Sequence, residues 1–218
     1  MNIAIIGATG RIGGRILNEA LSRGHTVTAI TRHPERVAES PAVKVVEADL
    51  HDTTAAAAAM RGHDAVISAY GPGFDKTNAP DIFDIYERAN VALIAAVKAS
   101  SVPRLLVVGG AASLKTPEGV MHMDSPDWPP QFNKNAVKGL KALLDRLKAG
   151  EAGCDWTFLS PSTFIEEGER TGTFRLGTDY ILYDETGRSN ISMEDYAVAM
   201  IDELENPQHT GTRFTVGY

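Results

Sequence analysis

The residues best suited to chemistry are three glycines near the amino terminus. Gly7, Gly10 and Gly13 stand three residues apart in the run GATGRIG. A phosphate group needs backbone N–H groups that it can approach closely, and it favours the positive end of a helix dipole. A side chain at Gly7 or Gly10 would block that approach, whereas Gly13 would let a helix lie close to a strand. The run therefore predicts a phosphate-binding turn.

Two elements must flank such a turn. Residues 1–6 read as a short apolar strand of β-branched type, because Ile3, Ile5 and Ile6 dominate it. After the turn, apolar residues recur at three- and four-residue steps, as in an amphipathic helix: Ile12, Ile16, Leu17, Ala20 and Leu21. Strand, glycine turn and helix are the context in which a glycine run carries meaning. The alternative is a plain tight turn between strand and helix.

Composition limits the classes of protein to consider. The chain has 218 residues, of which 43% are hydrophobic, so we expect a single domain over 1–218. A net charge of −7 without a Lys/Arg cluster argues against nucleic acid or a membrane as partner. The single cysteine cannot form an internal disulfide, and the scattered histidines predict no metal site. Without a signal-peptide pattern or an apolar span, we expect a cytoplasmic monomer or homodimer.

The order of elements predicts the fold. Apolar, β-branched stretches predict strands at 26–30, 43–46, 63–69, 104–108, 155–159 and 212–216, and helical patterns lie at 53–60, 80–100, 132–149 and 193–204. Such alternation indicates an α/β fold with a doubly wound parallel sheet, the Rossmann fold. A ligand then belongs at the carboxyl ends of the strands. The polar segment at about 164–190 is expected to form a small C-terminal substrate-side cap.

The run GATGRIG resembles the glycine motif of the extended and atypical short-chain dehydrogenase/reductase superfamily, not the Gly-x-Gly-x-x-Gly of typical dinucleotide dehydrogenases. Within that superfamily the chain is similar to the small NADH-flavin reductases, with NmrA-like and biliverdin-reductase-B-like proteins nearby. The resemblance covers most of the chain, including ISMEDYA at 191–197. It implies an NAD(P) cofactor bound by the glycine run: Gly7, Thr9, Gly10, Arg11, Ile12 and Gly13.

The residue after the second strand bears on the choice of cofactor. An acid there would accept from the ribose 2′-hydroxyl, whereas Arg32 suits a 2′-phosphate and favours NADP, with NAD as the alternative. Arg32 would otherwise stack on adenine or point to solvent. The resemblance also places Asp49 at the adenine amino group and Leu50 against the ring. The competing interpretation makes Asp49 an N-cap or loop residue.

The resemblance assigns further cofactor contacts to the exits of later strands: Ser68, Ala69 and Tyr70 after the fourth, Gly109 after the fifth, and Ser160, Pro161 and Ser162 after the sixth. In the superfamily, the first group lies along the ribose and diphosphate, and the last loop closes over the nicotinamide. Asn90 falls where an asparagine often stands on the preceding helix. An exposed polar residue is the favoured interpretation of Asn90.

The catalytic pattern of the superfamily is broken in this chain. Most short-chain reductases donate a proton from a Tyr-x-x-x-Lys pair, in which the lysine lowers the tyrosine pKa and holds the ribose. Here Lys134 stands four residues before Lys138, and no tyrosine occurs between Tyr86 and Tyr180. Ser113 lies just beyond the usual serine position. Ser113 and Lys138 remain the catalytic candidates, although Lys138 is equally interpreted as an exposed helix lysine.

Reduction of a flavin or quinone does not require that acid. Water can supply the proton, and the protein mainly stacks two flat rings at the right distance. The long loop at 114–130 carries Met123 and Trp128, which with Phe164 would roof a flat acceptor, unless the loop packs on the body. We predict an NAD(P)H-dependent reductase with a flat aromatic acceptor, FMN or FAD being candidate substrates.

Two other functions stay open at this point. One is an NmrA-like regulator, which would bind the dinucleotide and dock on another protein without turnover. The other is a carbonyl reductase or epimerase with a non-standard acid, such as Tyr70 or Tyr180.

Overall fold

The computed structural model describes residues 1–72 and 78–218. The strands are β1 Asn2–Ile6, β2 Thr26–Thr31, β3 Val43–Glu47, β4 Ala65–Ser68, β5 Arg104–Val108, β6 Asp155–Pro161, β7 Phe164–Glu166, β8 Arg175–Gly177, β9 Asn190–Ser192 and β10 Thr212–Gly217. The helices are α1 Arg11–Ser22, α2 Thr53–Met60, α3 Ile82–Ser100, α4 Lys134–Lys148 and α5 Met193–Glu205. Within the described ranges, no helix is both long enough and apolar enough to cross a membrane.

The main sheet confirms the predicted fold class. Its strand order is β3-β2-β1-β4-β5-β6-β10-β8, and all neighbours are parallel except β10 and β8. The last residue of β1, Ile6, pairs with Ile30 on one side and Ser68 on the other. The winding reverses between β1 and β4, which is the switch point where such sheets bind ligands. The glycine run leaves β1 at this point.

Helices cover both faces of the sheet. On one face α2, α3 and α4 bury a core that includes Leu105 and Phe158. On the other, α1 and α5 pack together over a core that includes Phe214 and Tyr196. The two buried layers fix the strands, so the carboxyl edge is a rigid platform for the loops that follow each strand.

The predicted cap is partly built into the sheet. β7 and β9 form a separate two-stranded parallel sheet, whereas β8 joins β10 as the antiparallel edge of the main sheet. The three-residue strands β7, β8 and β9 were not predicted, because segments of this length are too short to show a period of two. The segment 164–190 is therefore tied to the body through β8.

Candidate cofactor and acceptor site

The glycine run has two kinds of glycine. Gly7 has a φ of +80°, and a Cβ there would lie 2.5 Å from the Ala69 carbonyl oxygen. A Cβ on Gly13 would lie 2.0 Å from the Gly7 carbonyl oxygen. These two glycines let the loop, α1 and the exit of β4 pack together. Gly10 has a φ of −80° and would place a Cβ 3.2 Å from the Gly7 carbonyl oxygen, a tighter contact than usual but far less severe than those at Gly7 and Gly13.

The start of α1 suits a diphosphate. Gly10 is the N-cap residue and makes no side-chain capping hydrogen bond, and the first turn contains no acidic residue. The backbone N–H groups of a first turn have no partner within the helix and carry the positive end of its dipole. Gly10 and Arg11 are exposed, and Thr9 and Ile12 are half-buried. The loop that the fold itself requires thus presents a cradle that fits an anion.

Charged side chains surround Tyr70, one of the residues that the resemblance assigned to the cofactor. Burial raises the pKa of the Tyr70 phenol, while the charges of Arg32, Asp49 and Arg88 act on it in opposing directions. Arg32 is exposed at the exit of β2, and within the described ranges it forms no ion pair or hydrogen bond. Leu50 is buried and lines one crevice with Ser68 and Tyr70. The residues that the resemblance assigned to ribose and adenine therefore converge on one edge of the sheet.

Asp49 is a loop residue and not a helix cap. Its Oδ1 accepts a hydrogen bond of 2.9 Å from the His51 N–H, and Asp52 is the N-cap of α2, accepting from the Ala55 N–H at 3.0 Å. The N-cap interpretation of Asp49 is therefore wrong. The carboxylate is half-buried beside Leu50.

Asn90 is buried, contrary to the interpretation as an exposed polar residue. Only 3% of its surface is accessible, and its Nδ2 donates to the Gly139 carbonyl oxygen at 2.9 Å. A Cβ on Gly139 would lie 2.4 Å from the Tyr86 Cβ, so α3 and α4 approach closely here. The prediction of an exposed Asn90 was wrong because this residue lies at the interface between α3 and α4 and not on the outer face of α3.

The exit of β5 is committed to packing. Gly109 is buried, and a Cβ on it would lie 2.2 Å from the Phe158 ring. The hydroxyl and carbonyl oxygens of Ser113 both accept from Arg213 Nη1, at 2.9 and 3.0 Å. Arg213 also pairs with the Asp179 carboxylate; burial opposes ionisation of Asp179, but the hydrogen bond and charge of Arg213 outweigh it and lower the pKa. Ser113 is thus held in a structural network, while Lys138 is exposed on α4.

Three residues at the exit of β6 carry a hydroxyl group, and they differ in burial. Ser160, Pro161 and Ser162 are buried, and Ser162 Oγ donates to the Val216 carbonyl oxygen at 2.9 Å. Ser160 and Ser162 have 0% and 1% of their surface accessible, so neither backbone nor side chain presents a surface to a ligand in this conformation. Thr163, the next residue, is half-buried, and its Oγ1 lies 3.1 Å from His122 Nε2. The prediction for this loop therefore stopped one residue short of the side chain that reaches the surface.

Half-buried rings stand beside that hydroxyl. Trp128, Phe132 and Phe164, which we call the aromatic wall, follow one another with ring centroids 5.7 and 6.0 Å apart. Trp128 also packs edge-on against the His122 ring at 5.2 Å. Met123 is buried, and its N–H donates to the Ala112 carbonyl oxygen at 3.0 Å, so that part of the loop packs on the body. Trp128 and Phe164 fit the predicted roof, Met123 does not, and Phe132 was missed.

The two tyrosines named as alternative acids lie in different surroundings. Tyr70 is half-buried, and its ring meets the Tyr86 ring edge-on at a centroid distance of 6.5 Å. Tyr180 is exposed, with the Lys115 Nζ 5.9 Å from its ring centroid. Burial raises the pKa of Tyr70, which disfavours its phenolate.

Comparison with known proteins identifies a family model and a relative that cover nearly the whole chain. Residues 7–207 match the model of the NAD(P)H-binding family. The uncharacterised protein YwnB of Bacillus subtilis is 40% identical over 99% of this chain and 98% of its own length.

Two solved structures resemble the whole chain. One, described as a "putative epimerase" from Bacteroides thetaiotaomicron, is 43% identical with a TM-score of 0.87, over 100% of this chain and 96% of the other. The second, described as a "putative NADH-flavin reductase" from Streptococcus pneumoniae, is 34% identical with a TM-score of 0.83, over 100% and 99%.

Proposed function

The chain belongs to the NAD(P)H-binding family, and from that premise we propose that it is an NADPH-dependent reductase of a flat aromatic acceptor, a flavin or a quinone. The observation that carries the proposal is the aromatic wall, built from the segments that follow β5 and β6, on the same sheet edge as the glycine run. β1, β4, β5 and β6 are consecutive in the sheet. Adjacent strands lie about 4.8 Å apart, so the two features are separated by roughly 14 Å. An extended dinucleotide is suited to span them.

The residues of the β1 side would hold the cofactor. The N-terminal turn of α1 would bind the diphosphate, and Gly10 would leave room for it. Arg32, exposed at the exit of β2, would pair with a 2′-phosphate through a charged, bidentate contact. Leu50 and Tyr70 would lie against the adenine ring at the exits of β3 and β4. A bound reduced nicotinamide supplies a hydride.

The residues of the β6 side would hold the acceptor. Flat rings pack well on aromatic faces and edges, and such contacts add roughly 0.5–1.5 kcal/mol beyond area burial. The aromatic wall would position the acceptor and exclude water from one side of it. The Streptococcus pneumoniae relative, described as a "putative NADH-flavin reductase", supports an acceptor of this class.

The test is oxidation of NADPH or NADH by the purified protein with FMN, FAD or a soluble quinone. We expect acceptor-dependent loss of the reduced nicotinamide absorbance, faster with NADPH than with NADH. Binding of NADPH by calorimetry without consumption of any acceptor would contradict the proposal and favour a regulator. Turnover with a simple ketone but none of these acceptors would favour a carbonyl reductase.

A further inference from the structure

The histidine at the back of the aromatic wall has no role in the function proposed so far. His122 is only 2% exposed, in the loop that follows β5. Its Nε2 lies 3.1 Å from Thr163 Oγ1, and its Nδ1 makes a longer contact of 3.4 Å with Ser125 Oγ. The imidazole therefore links the buried Ser125 to the hydroxyl of the half-buried Thr163, which directly precedes Phe164.

The hydrogen bonds of Ser125 indicate the tautomer of His122. Ser125 Oγ donates its only hydrogen to the His122 carbonyl oxygen at 2.9 Å. The serine can therefore only accept from the ring, which places the hydrogen of a neutral imidazole on Nδ1. Nε2 is then an acceptor, and Thr163 must donate its hydroxyl hydrogen to it. In this state the threonine presents oxygen lone pairs to the surface and keeps its hydrogen inside.

The surroundings of His122 favour the neutral ring without forbidding the charged one. Burial lowers the pKa of the imidazole, and the carboxylate of Asp127 opposes that effect. Within residues 1–72 and 78–218, Asp127 is the charged group that acts on the ring; the side chains in contact with it, Ser125, Trp128 and Thr163, are uncharged. Protonation would make Nε2 a donor, so the Nε2–Oγ1 hydrogen bond would reverse and the Thr163 hydrogen would turn outward.

We propose that His122 and Thr163 form a proton relay that serves the acceptor bound at the aromatic wall. This inference rests on the proposed reductase function, and it replaces water as the proton source. Of the three residues with hydroxyl groups in the β6 exit loop, only Thr163 is half-buried, and only its hydroxyl contacts a titratable side chain in the described structure. The Tyr-x-x-x-Lys pair that the sequence lacks is thereby functionally replaced from a different part of the fold.

The relay step is balanced as follows. The acceptor has gained a hydride and needs one proton. The Thr163 O–H bond breaks and its proton bonds to a heteroatom of the acceptor. At the same time the Nε2–H bond of the imidazolium breaks, and that proton restores the Thr163 hydroxyl. The imidazole is left neutral, in the hydrogen-bonded arrangement seen in the structure. A proton from solvent then converts it back to the imidazolium.

The test compares Thr163→Val with Thr163→Ser at several pH values, using NADPH and FMN. Turnover of the unmodified protein should fall as pH rises through the range in which His122 titrates. Thr163→Val should lower turnover by roughly a hundredfold, the lower end of what a general acid contributes, and should flatten the pH dependence. Thr163→Ser should restore both. Thr26→Val is the matched control, because Thr26 is exposed at the opposite edge of the sheet.

A second measurement separates the relay from the reductase function. NMR titration of the His122 ring needs no turnover. Thr163→Val should lower its pKa, because the hydrogen bond lost by the charged imidazolium is stronger than the one lost by the neutral ring. Unchanged His122 titration in Thr163→Val would overturn the relay, as would an unchanged pH profile in a folded Thr163→Val protein that binds NADPH normally. Absence of turnover in the unmodified protein would instead contradict the proposed function, whatever the titration shows.

Discussion

The cofactor side and the acceptor side of the site are built in different ways. The proposed diphosphate site on the cofactor side consists of backbone: the glycine run between β1 and α1, packed against the carbonyl oxygens of Gly7 and Ala69. The acceptor side consists of side chains from separate segments, with His122 and Trp128 before α4, and Thr163 and Phe164 after β6. A backbone site follows from local sequence, whereas a side-chain site depends on how distant segments pack.

The largest effect is expected on the backbone side. Gly10→Glu should abolish dinucleotide binding, because the new carboxylate would occupy the diphosphate position. Like charges placed together cost several kcal/mol, which is a loss of affinity of more than about a hundredfold. A Cβ at Gly10 needs the Gly7 carbonyl oxygen to shift by only a few tenths of an ångström, so the protein should stay folded, and a thermal melt checks this. Calorimetry with NADPH measures the loss of binding, and Asn18→Glu, exposed on α1, carries the same charge as a control.

Gly13→Ala tests whether this glycine is needed for packing, in contrast to Gly10, which is proposed to leave room for the diphosphate. Its Cβ would lie 2.0 Å from the Gly7 carbonyl oxygen, so the helix or the loop must move. Overpacking of this kind costs about 1–3 kcal/mol, which lowers the melting temperature of a protein of this size by roughly 2–12 °C. A thermal melt measures the effect. Equal melting temperatures for Gly13→Ala and the unmodified protein would show that the glycine is needed for the ligand only.

Arg32→Ala addresses the choice of cofactor. Loss of a charged hydrogen bond costs about 1.5–3 kcal/mol, so affinity for NADPH should fall tenfold or more while NADH binding changes little. Arg36→Ala, an exposed arginine four residues on, serves as the matched control. If Arg32→Ala weakened both cofactors equally, the arginine would stack on adenine and not bind the phosphate.

Trp128→Ala addresses the acceptor side. Removing a ring that contacts both His122 and Phe132 should raise the KM for the flavin. Aromatic contacts of about 0.5–1.5 kcal/mol correspond to a change of roughly two- to tenfold. The KM for NADPH should stay constant, because the cofactor is held mainly by the β1 side. A rise in the KM for NADPH alone would place Trp128 over the nicotinamide.

The smallest effects should come from the two residues first considered for catalysis. Lys138→Met and Ser113→Ala should each lower turnover only modestly, far less than the roughly 10²–10⁴-fold of a general acid. Ser113→Ala should instead destabilise the fold by about 1–2 kcal/mol, since buried Arg213 loses one acceptor. Denaturant unfolding and steady-state kinetics on the same preparations separate the two effects. A thousandfold loss of turnover with intact NADPH affinity would restore the carbonyl-reductase interpretation.

The sequence predicted the fold because its long elements carry strong periodicity and the glycine run specifies its own neighbours. It pointed to Trp128 and Phe164 on the acceptor side but not to the contact between Thr163 and His122, because these residues are 41 positions apart and are brought together by the pairing of β5 with β6. The burial of Asn90 and the contacts of Arg213 were not predicted for the same reason, because both side chains form hydrogen bonds with distant segments.

The most direct test of the account is a single-turnover reaction between NADPH and FMN without oxygen, using NADPH deuterated at both C4 positions. Direct hydride transfer across the site predicts that the flavin is bleached only in the presence of the protein, and more slowly with the deuterated cofactor. Gly10→Glu should show no bleaching. Tight binding of NADPH with no bleaching of FMN or a quinone would contradict the account.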